Sequence, residues 1–177
     1  MVDGELPDPK LPLVPGHEVI GEVDACGEGS ERFQPGDRIG VPWLGWTCGS
    51  CRYCRREQEN LCEKARFTGY TLDGGYAESM VAYEDFCVPL SDDLFNAESA
   101  PLLCAGLIGY RSYRMTEPER IERLGLYGFG ASAHLLAQLA VFEGKQVYAF
   151  TREGDTEAQR HARKLRIQRS FSASIPE

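Results

Sequence analysis

Four cysteines stand close together in this sequence, Cys48, Cys51, Cys54 and Cys62, at the spacing C-x2-C-x2-C-x7-C. Four thiolates in one turn-rich segment suffice to surround a tetrahedral zinc ion, each at about 2.3 Å. Every ligand then comes from the protein, so the site is closed and its role structural. An iron–sulfur cluster also takes four cysteines, but at other spacings. A zinc module that reads nucleic acid brings a basic face, whereas here Arg52, Arg55, Arg56 and Lys64 are offset by Glu57, Glu59 and Glu63.

A second motif is Gly128-Phe129-Gly130-Ala131-Ser132-Ala133, which fits G-x-G-x-x-A. Its surroundings give the string meaning. Residues 124–127 read as a strand, and residues 131–142 as a helix with Leu135, Leu136, Leu139 and Phe142 on one face. Residues 146–150 read as a second strand and 156–165 as a charged helix. Strand, glycine turn, helix, strand is the opening of a parallel α/β sheet. There Gly128 permits the tight turn, Gly130 lets a pyrophosphate approach the backbone, and Ala133 allows close helix–strand packing. The helix N-terminus supplies N–H groups. A strand–helix turn that holds no ligand can carry the same string. About twenty residues on, where an acidic residue would bind the 2′-hydroxyl of NAD, stand Thr151 and Arg152. A hydroxyl and a guanidinium favour the 2′-phosphate of NADP, while Glu153 and Asp155 keep NAD open.

His17, Glu18 and Cys104 also carry donor atoms, although each read alone has an ordinary explanation. A cysteine among leucines is usually a small buried hydrophobe. Cys26, Cys87, His134 and His161 read as packing residues.

The elements that must position these groups change character along the chain. Up to about residue 99, short apolar runs are broken by glycine, proline and acidic residues. Strands are expected over 17–23, 38–44 and, after Gly74-Gly75, over 76–81, with a turn at Pro35-Gly36-Asp37. Such spacing suggests a small β-barrel or sandwich. Asn96 can cap a helix whose first turn holds Glu98 and whose apolar stripe is Leu102, Leu103, Leu107 and Ile108. The parallel α/β pattern follows. With 177 residues, 42% hydrophobic and 26% charged, the chain reads as a soluble globular protein. Its net charge of −8 argues against nucleic acid or an anionic membrane as the main partner. Neither a membrane-spanning run nor a signal peptide is visible, so a reducing, cytoplasmic compartment is expected.

Taken in order, Gly16-His17-Glu18, the four-cysteine loop, Gly74-Gly75-Tyr76-Ala77-Glu78, Cys104-Ala105-Gly106 and Gly128 to Ala133 resemble the zinc-dependent alcohol dehydrogenases of the medium-chain dehydrogenase/reductase superfamily. The resemblance runs from about Leu11 to Leu165. It implies a partial GroES-like zinc-binding catalytic domain over residues 1–103. Residues 104–177 then form a connecting helix and the start of a Rossmann dinucleotide-binding domain. It makes His17 and Cys104 ligands of a catalytic zinc with Glu18 beside it, and places Trp43 in the substrate pocket. Cys48, Cys51, Cys54 and Cys62 become the structural zinc site. The activity implied is hydride transfer between a zinc-bound primary alcohol or aldehyde and NAD or NADP. Relatives of full length are homo-oligomers. Quinone reductases of the same superfamily typically lack the zinc-ligand set.

Three departures from the family pattern follow. A further cysteine ligand and a proton-relay Thr or Ser would precede the Gly-His-Glu motif, and the sequence begins too late for either. Ile108 stands where many members have Thr. Residues 166–177 show no strand pattern, so the sheet is expected to stop at two strands. The chain is therefore expected to be truncated at both ends and inactive alone. The rival expectation is a zinc-binding fragment that keeps only the structural site.

Overall fold

Glycine and proline punctuation cuts the first part of the chain into short strands: β1 (Val19–Glu22), β2 (Arg38–Val41), β3 (Leu44–Trp46), β4 (Arg66–Phe67) and β5 (Val88–Pro89). The computed structural model describes Gly4, residues 6–165, Ile167 and residues 169–172. Its contacts divide the chain into two units, Met1–Cys104 and Ala105–Glu177.

In the first unit β1, β2 and β5 form an antiparallel sheet, with Val19 opposite Val41 and Ile39 opposite Pro89. Pro89 lies on the edge strand, where its missing N–H breaks no ladder. The turn before β2 forms as expected, with Gln34 N–H donating to the Asp37 carboxylate at 2.8 Å. Strands β3 and β4 pair antiparallel and clamp both ends of the cysteine loop. The strand expected over residues 76–81 does not form. Instead the chain is stitched to the segment before His17, with Gly74 N–H donating to Val14 O at 2.7 Å and Tyr76 N–H to Pro15 O at 3.0 Å. No described strand runs beside the rest of this segment, and Val81 is 95% exposed.

Asn96 does cap a helix, accepting from Ser99 N–H at 3.0 Å. The single helix expected beyond it is two. Residues Ala97–Leu103 wind as a 3₁₀ helix containing Pro101, and the α-helix α1 (Ala105–Arg114) starts only after Cys104. Proline lacks the N–H that a continuous α-helix needs, and the tighter winding accommodates it. The expected apolar stripe is split accordingly: Leu103 is buried, while Leu102, Leu107 and Ile108 are exposed. A Cβ on Gly40 of β2 would come within 2.7 Å of Leu103, so glycine there admits the leucine that precedes Cys104.

The second unit continues as β6 (Arg123–Tyr127), α2 (Ala131–Phe142), β7 (Gln146–Thr151), α3 (Thr156–Lys164) and β8 (Arg169–Ser172). Alternation drives the strands: Leu124, Leu126, Val147 and Ala149 point inward and are buried. They meet Tyr113, Ala137, Ala140, Ala162 and Ile167 in one core. The buried face of α2 is thus set by Ala137 and Ala140 with Leu136 and Leu139 beside them, and Phe142, expected on that face, is 88% exposed. The sheet corrects a further expectation. It has three described strands in the order β6-β7-β8, all parallel, with Ala149 opposite Ser170. An edge strand pairs through its backbone, so Arg169–Ser172 joins without an apolar alternation to announce it. The divergent tail over 173–177 lies outside the described residues. Among the described residues no helix is long and apolar enough to cross a membrane.

Candidate functional site

Two donor clusters form in the first unit. In the loop between β3 and β4, the sulfurs of Cys48, Cys51, Cys54 and Cys62 all lie within 4.8 Å of one another. Individual separations are 3.5 Å for Cys51 and Cys54, 3.6 Å for Cys48 and Cys62, and 4.0 Å for Cys48 and Cys54. Four sulfurs about 2.3 Å from a central ion have tetrahedral edges of about 3.8 Å, so the set fits zinc. The separations are nearly twice the ~2.05 Å of a disulfide, and all seven cysteines are free.

The metal-free electrostatics are uneven. Backbone N–H groups of Ser50 and Cys51 hold the Cys48 thiol down at about 6. The N–H of Cys54 lowers Cys51 in the same way. Burial pushes Cys54 up to about 11. Binding a divalent cation here displaces protons, that of Cys54 above all. Buried Thr47, beside the first cysteine, hydrogen-bonds Cys54; adjacency to Cys48 was its only trace in the sequence.

The second cluster is His17, Glu18 and Cys104, whose donor atoms also lie within 4.8 Å. His17 Nε2 is 3.2 Å from Cys104 Sγ although 87 residues separate them. An imidazole and a thiolate on one tetrahedral zinc stand about 3.6 Å apart, so the pair fits with a small adjustment. The cluster thus brings together the two expected ligands, His17 and Cys104, with the Glu18 carboxylate beside them. Burial raises the Cys104 thiol, and the Glu18 charge adds to the effect.

Close backbone approach fixes His17. Gly16 has φ +100°, and a Cβ on Gly74 would overlap the Gly16 carbonyl oxygen. Trp43 sets its ring 5.1 Å from that of His17, edge to face at 73°, and stacks on Phe67 at 4.9 Å and Tyr70 at 6.0 Å. Trp43 was singled out in the sequence, whereas Phe67 and Tyr70 follow the cysteine loop with no spacing to mark them.

The glycine turn lies in the second unit, between β6 and α2. Gly128 has φ +85°, which favours glycine, and its N–H donates to Phe150 O at 2.8 Å, tying the turn to β7. Gly130 is the N-cap of α2 and no side chain caps that helix. The N–H groups of Ala131, Ser132 and Ala133 therefore lack the side-chain acceptor that Asp155 provides to Ala158 N–H at 3.0 Å on α3. A Cβ built at Gly130 meets nothing within 4 Å, leaving a cradle in front of the helix end. Ser132 Oγ donates to Ala105 O at 2.8 Å. Ala133 packs against the core and Phe129 lies beside it. Thr151, at the end of β7, is buried, and Arg152 is exposed.

Comparison with known proteins follows the same outline. The Alcohol dehydrogenase GroES-like domain family matches residues 1–92. A protein of Mycobacterium tuberculosis named "Probable alcohol dehydrogenase AdhA" is 47% identical over 174 residues, covering 95% of this chain and 48% of its own length. An alcohol dehydrogenase of Geobacillus stearothermophilus is 43% identical over 141 residues, 80% of this chain and 42% of the relative. Among solved structures, CAD from Helicobacter pylori complexed with NADP(H) superposes with a TM-score of 0.83 at 28% identity, covering 93% of this chain and 50% of that one. The chain spans about half the length of the curated relatives it matches. With the match covering 92 of 177 residues, and β1 to β5 and both donor clusters in the unit that contains it, the chain belongs to the alcohol dehydrogenase GroES-like domain family.

Proposed function

We propose that this protein is a zinc-dependent NAD(P) alcohol dehydrogenase, transferring hydride between a primary alcohol or its aldehyde and a nicotinamide cofactor. The observation that carries the reading is the meeting of His17 Nε2 and Cys104 Sγ at 3.2 Å, with Glu18 beside them. When bound there, zinc supplies a Lewis acid that lowers the pKa of a coordinated alcohol. The protein's own residues do the remaining work. His17 offers its Nε2, and the Trp43 ring packed at 73° against the imidazole limits rotation of that ring. The Trp43, Phe67 and Tyr70 stack gives one apolar wall next to His17. Cys48, Cys51, Cys54 and Cys62 hold a second, structural zinc that closes the loop between β3 and β4.

For the cofactor, the uncapped N–H groups at the start of α2 suit a pyrophosphate, and Gly130 leaves space for it. Buried Thr151 offers its hydroxyl less readily than exposed Arg152 offers its guanidinium, so the 2′-phosphate of NADP is the better match.

A second reading has its own observation. The described parallel sheet has three strands, all on one side of the topological order that a complete dinucleotide fold doubles. On this reading the described residues hold zinc and the phosphate end of the cofactor. The deciding assay follows reduced-cofactor absorbance when a primary alcohol is added to zinc-loaded protein with NADP. Alcohol-dependent reduction that disappears in His17→Gln supports the enzyme. Zinc-loaded protein that binds NADP without reducing it leaves the second reading.

A further inference from the structure

Outside the clusters described above, two histidines of the second unit meet. His134 on α2 and His161 on α3 set their rings 4.4 Å apart at 75°. Two imidazoles that share one divalent ion at about 2.1 Å, with a right angle between the bonds, have ring centres about 4.5 Å apart. The pair lines an open groove of about 390 Å³ together with Phe129, Gly130, Asp155 and Glu157.

The two carboxylates differ in availability. Asp155 is occupied as the cap of α3, accepting from Ala158 N–H at 3.0 Å. Glu157 sits one helical turn before His161 on the same face of α3. Its only ion pair among the described residues is a loose 4.0 Å contact with Arg160. Its carboxylate does not converge with the two imidazoles in this structure, so it joins them only after rotation of its exposed side chain.

From this geometry we propose that His134, His161 and Glu157 form a binding site for a late first-row divalent transition metal, separate from both cysteine-containing clusters. Imidazole suits nickel, copper and zinc, and two imidazoles with one carboxylate leave positions open for water from the groove. Burial and the neighbouring His161 lower the basicity of His134, which favours the neutral ring that ligates metal. The carboxylates on the α3 side of the groove, Asp155 and Glu157, suit a cation beside the two imidazoles, while the N–H groups at the start of α2 line its other end.

The test uses the 177-residue chain, its four-cysteine site filled with zinc, titrated with Ni²⁺ in a calorimeter. We expect a binding event that persists in His17→Gln, which disables the cluster around Cys104, and that weakens at least about tenfold in His161→Gln. Glu157→Gln is expected to weaken it less. Nickel binding by His161→Gln indistinguishable from the unmodified protein overturns the proposal. Because His134 is partly buried, a second measurement uses the unmodified chain: labelling of histidines by diethyl pyrocarbonate. Protection of both His134 and His161 by Ni²⁺ is expected, and unchanged labelling of the two overturns the site.

Discussion

Three glycines show how much a single position controls. Gly74 and Gly16 allow two backbone segments to touch behind His17, and a methyl group at Gly74 would collide with the Gly16 carbonyl. Gly130 is the opposite case: its φ is −88° and a Cβ meets nothing within 4 Å. Gly130→Ala should therefore leave the thermal midpoint nearly unchanged, within about 0.5 kcal/mol of stability. It should weaken NADP binding about tenfold or more, because the methyl group occupies the space a pyrophosphate needs. Calorimetric melting and NADP titration on the same sample separate the two effects. Residue types and order made both donor clusters and this turn legible in the sequence. The aromatic wall of Phe67 and Tyr70 was not, since stacking against Trp43 is fixed by the return of β4 beside β3 and leaves no periodic mark.

Secondary elements explain where the reading of the sequence held and where it failed. Glycine turns and inward alternation marked β6, α2, β7 and α3 within a residue or two of their observed bounds. The strand expected over 76–81 failed because alternation alone supplies no partner, and the segment is stitched to residues before His17 instead. The third parallel strand was missed for the converse reason: β8 pairs by backbone at an edge and needs no apolar pattern. Between elements, the cysteine loop depends on its metal. Chelation, or Cys54→Ser, should raise amide exchange across residues 48–62 by removing the only link among four sulfurs that make no disulfide. Exchange measured by mass spectrometry checks this, and unaltered protection would show that the β3–β4 clamp suffices.

Helices α1 and α2 are joined by Tyr113, 1% exposed, whose hydroxyl donates to Glu143 Oε2 at 2.5 Å. Burial and that carboxylate raise the phenol to about 12 from its ordinary 10.0. The raised group keeps its proton longer in the folded state than in the unfolded chain. Its contribution is thus complete below about pH 10 and is lost as pH rises toward 12. Tyr113→Phe should cost about 1 kcal/mol at neutral pH and flatten the decline in stability on the alkaline side. Urea unfolding at several pH values measures both.

For the molecule as a whole, the two clusters of donor residues point to a metal-binding protein. The central claim is that two separate zinc sites form, one at Cys48, Cys51, Cys54 and Cys62 and one at His17 and Cys104. The most direct measurement is zinc per chain, by elemental analysis after extensive dialysis has stripped weaker sites, in the unmodified protein, Cys54→Ser and His17→Gln. We expect about two zinc ions per chain, falling to about one in each variant. A value of about one in the unmodified protein that His17→Gln leaves unchanged contradicts the catalytic site, and a value near zero contradicts both.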